Sequence, residues 1–246
     1  MLRSNTLGEL LTLAAATAPD APALRYRSEL LTYGDWNECA DRCAAVMLSH
    51  GVRPGDVVAL WLPSTPLYHV AYLAAARIGA VTAGINVRYR THEVRNLLQQ
   101  SGAKLLLAVD QAHGSDFRAV VAALRPELPE LEVALWVTEP ELRSSTPATV
   151  AALSTGLGMA PLPEVNPDDP VAIVFTSGTT GVPKGAWYTH RNVMALAEIE
   201  SRRYADGVIP FKKHLTAGLS FAHMGTMLRI AIQIGHQGLS IIHDSF

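Results

Sequence analysis

The chain has 246 residues, of which 49% are hydrophobic and 17% charged, and its formal net charge is −2. That length can bury a core for one large domain or two small ones. The near-neutral balance excludes a general attraction to nucleic acid or to acidic membranes.

The first stretch, "MLRSNTLGELLTLAAATAP", shares a basic residue, an apolar run and an "ATA" triplet with secretory signals. Glu9 interrupts the run, and Leu7, Leu10, Leu11 and Ala14 recur at helical spacing, so the stretch reads as a mature amphipathic helix. Thr32, with Asp35 three residues on, predicts a capping box ahead of "YGDWNECADRCAAVMLSHG", and Gly51 stops that helix. Cys39 and Cys43 share a helix face with Trp36, Ala40 and Met47 and lack CxxC spacing. They are expected to be core thiols in a reducing, cytoplasmic setting.

"DVVALWL" predicts a strand, Pro66 opens a helix ending near Gly79, and "AVTAGINV" predicts a second strand. This long apolar region is broken by Pro63 and Pro66 and carries His69 and Arg77, so it is not a membrane span. Thr91 caps "HEVRNLLQQS" and Gly102 closes it; "KLLLAV" is a strand, "SDFRAVVAAL" a helix and "LEVALWV" a strand. "RYR" occurs at Arg25–Arg27 and again at Arg88–Arg90, and is expected to be solvated or strand-edge charge.

From Val137 to Asp169 periodicity fades, which predicts a surface connection with one short helix. "VAIVF" shows no alternation and is expected to be a strand buried on both faces. A helix capped by Thr189 follows, then a strand near 214–219, a helix near 224–235 and the strand "GLSIIHD". Strands alternating with helices imply a largely parallel α/β architecture. The expected division is a first α/β region at 1–136, a connection at 137–169 and a second α/β region at 170–246.

Directly after "VAIVF" stands "TSGTTGVPKG", residues 176–185, read as a polar turn between the buried strand and the helix opening at Thr189. Ligands in parallel sheets bind at the carboxyl ends of strands, where this segment falls. Its glycines let the main chain approach a ligand closely. Backbone N–H groups together with the hydroxyls of Thr176, Ser177, Thr179 and Thr180 are suited to phosphate oxygens, and Lys184 adds a positive charge. The pattern departs from the Walker loop, because Pro183 precedes Lys184 and Gly185 follows it. No G-x-S-x-G is present, and Asn96 stands where "HEVRN" would need a second histidine to bind zinc.

"VFTSGTTGVPKGAWYTHRNV" resembles the phosphate-loop signature of the AMP-forming adenylating enzymes: acyl-CoA synthetases, luciferases and peptide-synthetase adenylation domains. "LTYGDWNECADRCAAVMLSHGVRPGDVVALWLPS" and "ARIGAVTAGINVRYRTHEVRNLLQQSGAKLLLA" resemble earlier stretches of the same family. The resemblance implies part of the amino-terminal domain of the AMP-binding fold, with largely parallel sheets and helices on both faces. It also implies activation of a small carboxylic acid by ATP and Mg²⁺ to an acyl-adenylate, and transfer to coenzyme A. By that resemblance Thr176, Ser177, Gly178, Thr179, Thr180 and Gly181 would hold the ATP phosphates, and Thr176 would contact the metal. Lys184 would steady the loop or the phosphates. "LSFAHMG" resembles a motif facing the acyl substrate: His223 matches its histidine, while Ala222 replaces the usual aromatic and Ser220 the usual proline. His190 and Asn192 match family positions with an expected role in capping and packing.

The family's adenine-packing segment with its magnesium-binding glutamate, its ribose aspartate, its hinge and its carboxy-terminal lysine have no counterpart in these residues. The chain is therefore expected to be a truncated or split form, inactive or partly active alone. Its strands near 171–176 and 238–243 are expected to have open edges that invite self-association or a complementing chain. A non-catalytic nucleotide-binding or assembly module is the alternative.

Overall fold

The computed structural model describes residues 1–159, 161–176, 184–205, 213–216, 220–227 and 229–243. The chain runs α1 (Leu7–Thr17), β1 (Pro22–Tyr26), β2 (Glu29–Thr32), α2 (Tyr33–Ser49), β3 (Val57–Trp61), α3 (Pro66–Arg77), β4 (Val81–Gly84), α4 (Thr91–Ser101) and β5 (Ala103–Val109). A two-residue pair, β6 (Gln111–Ala112) and β7 (Ser115–Asp116), leads to α5 (Phe117–Leu124), β8 (Val133–Val137), α6 (Glu139–Arg143) and α7 (Thr146–Leu153). Then come β9 (Pro170–Thr176), β10 (Lys184–Thr189), α8 (His190–Ala205), β11 (Lys213–Thr216), α9 (Met224–Met227), α10 (Arg229–Gly235) and β12 (Leu239–Ile242).

Local chemistry places many of these boundaries. Thr6 with Glu9, Thr32 with Asp35 and Thr138 with Glu141 form reciprocal capping boxes at α1, α2 and α6. Pro66 sits in the first turn of α3, where its missing N–H costs nothing. Gly102 ends α4 in the left-handed region at φ 62°, a conformation that penalises a Cβ.

Six strands form one sheet in the order β10-β9-β4-β3-β5-β8, parallel except for β10, which pairs antiparallel with β9. A second sheet has the order β11-β12-β1-β2. The interior of the first sheet is buried on both faces: on β3, Val58 and Leu60 join a core with α1, α2 and α3, while Val57, Ala59 and Trp61 join another under α4 and α5. Trp61 and Phe117 stack in that second core with centroids 3.6 Å apart, a contact worth about 1 kcal/mol beyond the area it buries. Strands from residues 22–137 and from 170–242 share both sheets. Among the described residues no helix is long and apolar enough to cross a membrane.

Several expectations change. The strands expected to be open are interior: β9 lies between β10 and β4, and β12 between β11 and β1. The chain supplies the neighbours of both strands itself, so neither offers the expected open edge. The two edges of the six-stranded sheet are β10 and β8, and on β10 Trp187 is 53% exposed. The 137–169 connection carries two helices where one was expected. The polar turn leads into β10 before the helix. The core thiols are as expected: Cys39 and Cys43 are buried and unbonded, and burial pushes both up to about 12.

Candidate functional site

The parallel strands β3, β4, β5, β8 and β9 end at one side of the six-stranded sheet. Thr176 closes β9 and is paired across the ladder with Lys184, the first residue of β10. The segment between them thus leaves and returns at one point of the sheet's carboxyl end. Ser177, Gly178, Thr179, Thr180 and Gly181, the remaining expected phosphate ligands, lie outside the described residues. The hairpin is tight at its base: a Cβ on Gly185 would lie 2.8 Å from Ile173 Cγ2 and 3.2 Å from the Phe175 ring.

His223 reaches the same end by another route. β4 is hydrogen-bonded to β9, with Thr82 opposite Ala172 and Ala83 opposite Ile173. Gly84 is the next residue of β4, and Ala222 packs directly on it. Phe221 is buried, with its ring 4.3 Å edge-on from His69 and 5.6 Å from Tyr68. His223 is exposed, and its Nδ1 accepts a hydrogen bond from the Gly225 N–H at 3.2 Å. The fold therefore brings Thr176, Lys184 and His223 to one end of adjacent strands. Gly84 and Tyr68, which contact Ala222 and Phe221 beside His223, carry no pattern in the sequence that marks them.

His190 and Asn192, at the start of α8, make structural contacts. Asn192 Oδ1 accepts from the Thr189 N–H at 3.0 Å, and Thr189 Oγ1 accepts from the Asn192 N–H at 3.2 Å. His190 is fully buried, and its Nδ1 accepts from the Leu7 N–H at 3.1 Å, capping α1 and not its own helix. Burial lowers His190 to about 4, against the opposing pull of Asp169 and Glu9.

A family model described as "AMP-binding enzyme" matches residues 11–242. The chain belongs to the AMP-binding enzyme family. Within it, the chain is 33% identical over 168 residues to a long-chain-fatty-acid–CoA ligase of Mycobacterium tuberculosis, covering 68% of this chain and 31% of the relative. It is 31% identical over 221 residues to tyrocidine synthase 3 of Brevibacillus parabrevis, covering 89% of this chain and 3% of that protein. The inhibitor-bound N-terminal domain of FACL13 from Mycobacterium tuberculosis superposes with a TM-score of 0.81 at 26% identity, over 98% of this chain and 57% of that one. The chain spans 31% to 38% of the length of the first acyl-CoA ligase and synthetase relatives.

Among the described residues no group of three or more His, Cys, Asp or Glu is placed to hold a metal ion. A Mg²⁺ ion carried by nucleotide phosphates needs only one or two protein oxygens. The hydroxyl-rich run from Thr176 onward is chemically suited to that, and its anchor at the sheet's carboxyl end is in place.

Proposed function

We propose that this chain forms the phosphate-binding and part of the acyl-binding machinery of an AMP-forming acid–thiol ligase, acting on a carboxylic acid, ATP and coenzyme A. The observation that carries the reading is the β9–β10 hairpin, which holds the ends of "TSGTTGVPKG" at the carboxyl end of a buried strand, beside the segment bearing His223. Attack of the carboxylate on the α-phosphorus expels pyrophosphate, so donors on the β and γ phosphates stabilise charge that develops as the bond breaks. Thr176, Ser177, Gly178, Thr179, Thr180 and Gly181 supply those donors, and Lys184 steadies the phosphates or the segment itself. When bound, Mg²⁺ neutralises phosphate charge, with the Thr176 hydroxyl as its protein ligand. His223 lines the carboxylate side. Consumption of ATP and coenzyme A, with two buried unbonded thiols, fits a cytoplasmic setting.

Labelled pyrophosphate exchange into ATP by the 246-residue chain, with Mg²⁺ and a panel of carboxylates, tests this. Carboxylate-dependent exchange that falls by about tenfold or more in Thr176→Val and Lys184→Met supports the ligase reading. ATP binding by calorimetry without exchange on any carboxylate would support the second reading, a nucleotide-binding module without catalysis. The chain's partial span of its ligase relatives is what keeps that reading in view.

A further inference from the structure

The phosphate side and the carboxylate side of the site meet at Gly84. β4 is hydrogen-bonded to β9 up to Ala83 opposite Ile173, so Gly84 stands beside the strand that ends in the phosphate segment. A Cβ at Gly84 would lie 2.6 Å from the Tyr68 hydroxyl oxygen, 2.7 Å from Ala222 Cα and 2.9 Å from Ala222 Cβ. Only the first of these contacts is the tip of a side chain. The second is backbone, and backbone must move as a segment.

That segment is bridged by short-range hydrogen bonds. The Ala222 N–H donates to Ser220 Oγ at 3.2 Å and the His223 N–H to Ser220 O at 3.0 Å. The Thr226 and Met227 N–H groups both donate to His223 O, at 3.0 and 3.1 Å. Phe221 pins it from below against Tyr68 and His69. Tyr68 is fully buried, and its hydroxyl has no hydrogen-bond partner among the described residues, so it acts here as a wall. A push at Ala222 is therefore transmitted to His223.

We propose that Gly84 and Tyr68 form the seat that sets how closely residues 220–227 approach the sheet, making Gly84 a positioning residue for His223 relative to β9. This rests on the reading of His223 as part of the carboxylate side. A misplacement of about 1 Å between reacting groups costs on the order of a hundredfold in rate. The seat thus controls alignment of the two substrates more than the binding of either one.

The test uses the 246-residue chain labelled at its histidine rings, with the His223 signal assigned by its loss in His223→Asn. In Gly84→Ala the His223 ring signal is expected to move, ATP–Mg²⁺ affinity to stay within about twofold, and carboxylate-dependent exchange to fall at least about tenfold. If Gly84→Ala does not fold, Ala222→Gly takes its place: it introduces no clash, frees the backbone at 222, and should also move or broaden the His223 signal. An unmoved His223 signal in the variants that fold overturns the proposal, as does an ATP affinity that falls in step with exchange. A wild-type chain that neither binds ATP nor exchanges pyrophosphate would overturn the ligase reading alone, and the His223 signal would still decide the seat.

Discussion

At the scale of single residues, Arg77 is a buried, multiply bonded polar group outside the candidate site. Its side chain is 3% exposed; Nη1 pairs with Asp41 and also donates to Asn37 O at 3.1 Å, while Nη2 donates to Thr12 Oγ1 at 3.2 Å. These partners lie on α1 and α2, so one guanidinium ties both helices to the end of α3. Its stem lies against Gly8, where a Cβ would come within 2.9 Å of Arg77 Cγ. Burial lowers the Arg77 pKa and Asp41 opposes that shift, so the pair must be kept or removed together. Asp41→Ala leaves a buried charge uncompensated and should cost roughly 3 kcal/mol in urea unfolding. A cost below about 1 kcal/mol, typical of an exposed pair, would show that water reaches Arg77 in the folded chain.

At the scale of elements, the β9–β10 hairpin decides whether the proposed phosphate segment has a fixed base. Gly185 faces Ile173 and Phe175 too closely for a side chain, so Gly185→Ala should push β10 off β9 and open the pair Thr176–Lys184. ATP–Mg²⁺ affinity by calorimetry should fall about tenfold, or about 1.4 kcal/mol, with little change in far-ultraviolet circular dichroism. Unchanged affinity would mean that the segment keeps its shape without the hairpin. This hairpin also marks the limit of what patterning reveals. β9 was readable as an unbroken apolar run, and the segment after it by its glycines and hydroxyls. β10, "KGAWYT", is an exposed edge strand with no apolar alternation to betray it. The β1–β2 hairpin escaped for a different reason: its turn places Arg27 at φ 54°, where Asn or Gly would have signalled the reversal. The Thr32–Asp35 box of α2 was legible because a cap is local, while the equivalent boxes at α1 and α6 carried no expectation. The contact of Gly84 with Ala222 was not, because it is made only when the chain returns over the end of β4.

At the scale of the whole molecule, long-range polar contacts tie α2 to α10, α10 to β1 and α8 to α1. The Tyr33 hydroxyl lies 3.1 Å from Gln233 O and 2.9 Å from Gly238 O, Gln233 Nε2 donates to Ala23 O at 2.8 Å, and His190 caps α1. The last contact makes stability depend on pH in a definite direction. His190 Nδ1 must be unprotonated to accept the Leu7 N–H, and burial holds the ring at about 4. Burial likewise holds His69, between Trp36 and Phe221, at about 3. Both values lie below the ordinary 6.5. The unfolded chain therefore takes up protons below that pH while the folded chain does not. Stability is fully present above pH 6.5 and is lost as pH falls toward the folded values. Each ring should contribute a loss of about 2 kcal/mol between about pH 7 and pH 5, a range mostly above carboxylate titration. Replacing His190 by Asn removes one of the two, so the loss measured by urea unfolding across that range should be roughly halved. The variant should also start about 1 kcal/mol less stable at neutral pH, because the α1 cap is weakened. An undiminished pH dependence in His190→Asn would mean that protons enter the folded chain at His190 as readily as they do the unfolded one, and that the helix it caps is not held by a neutral ring.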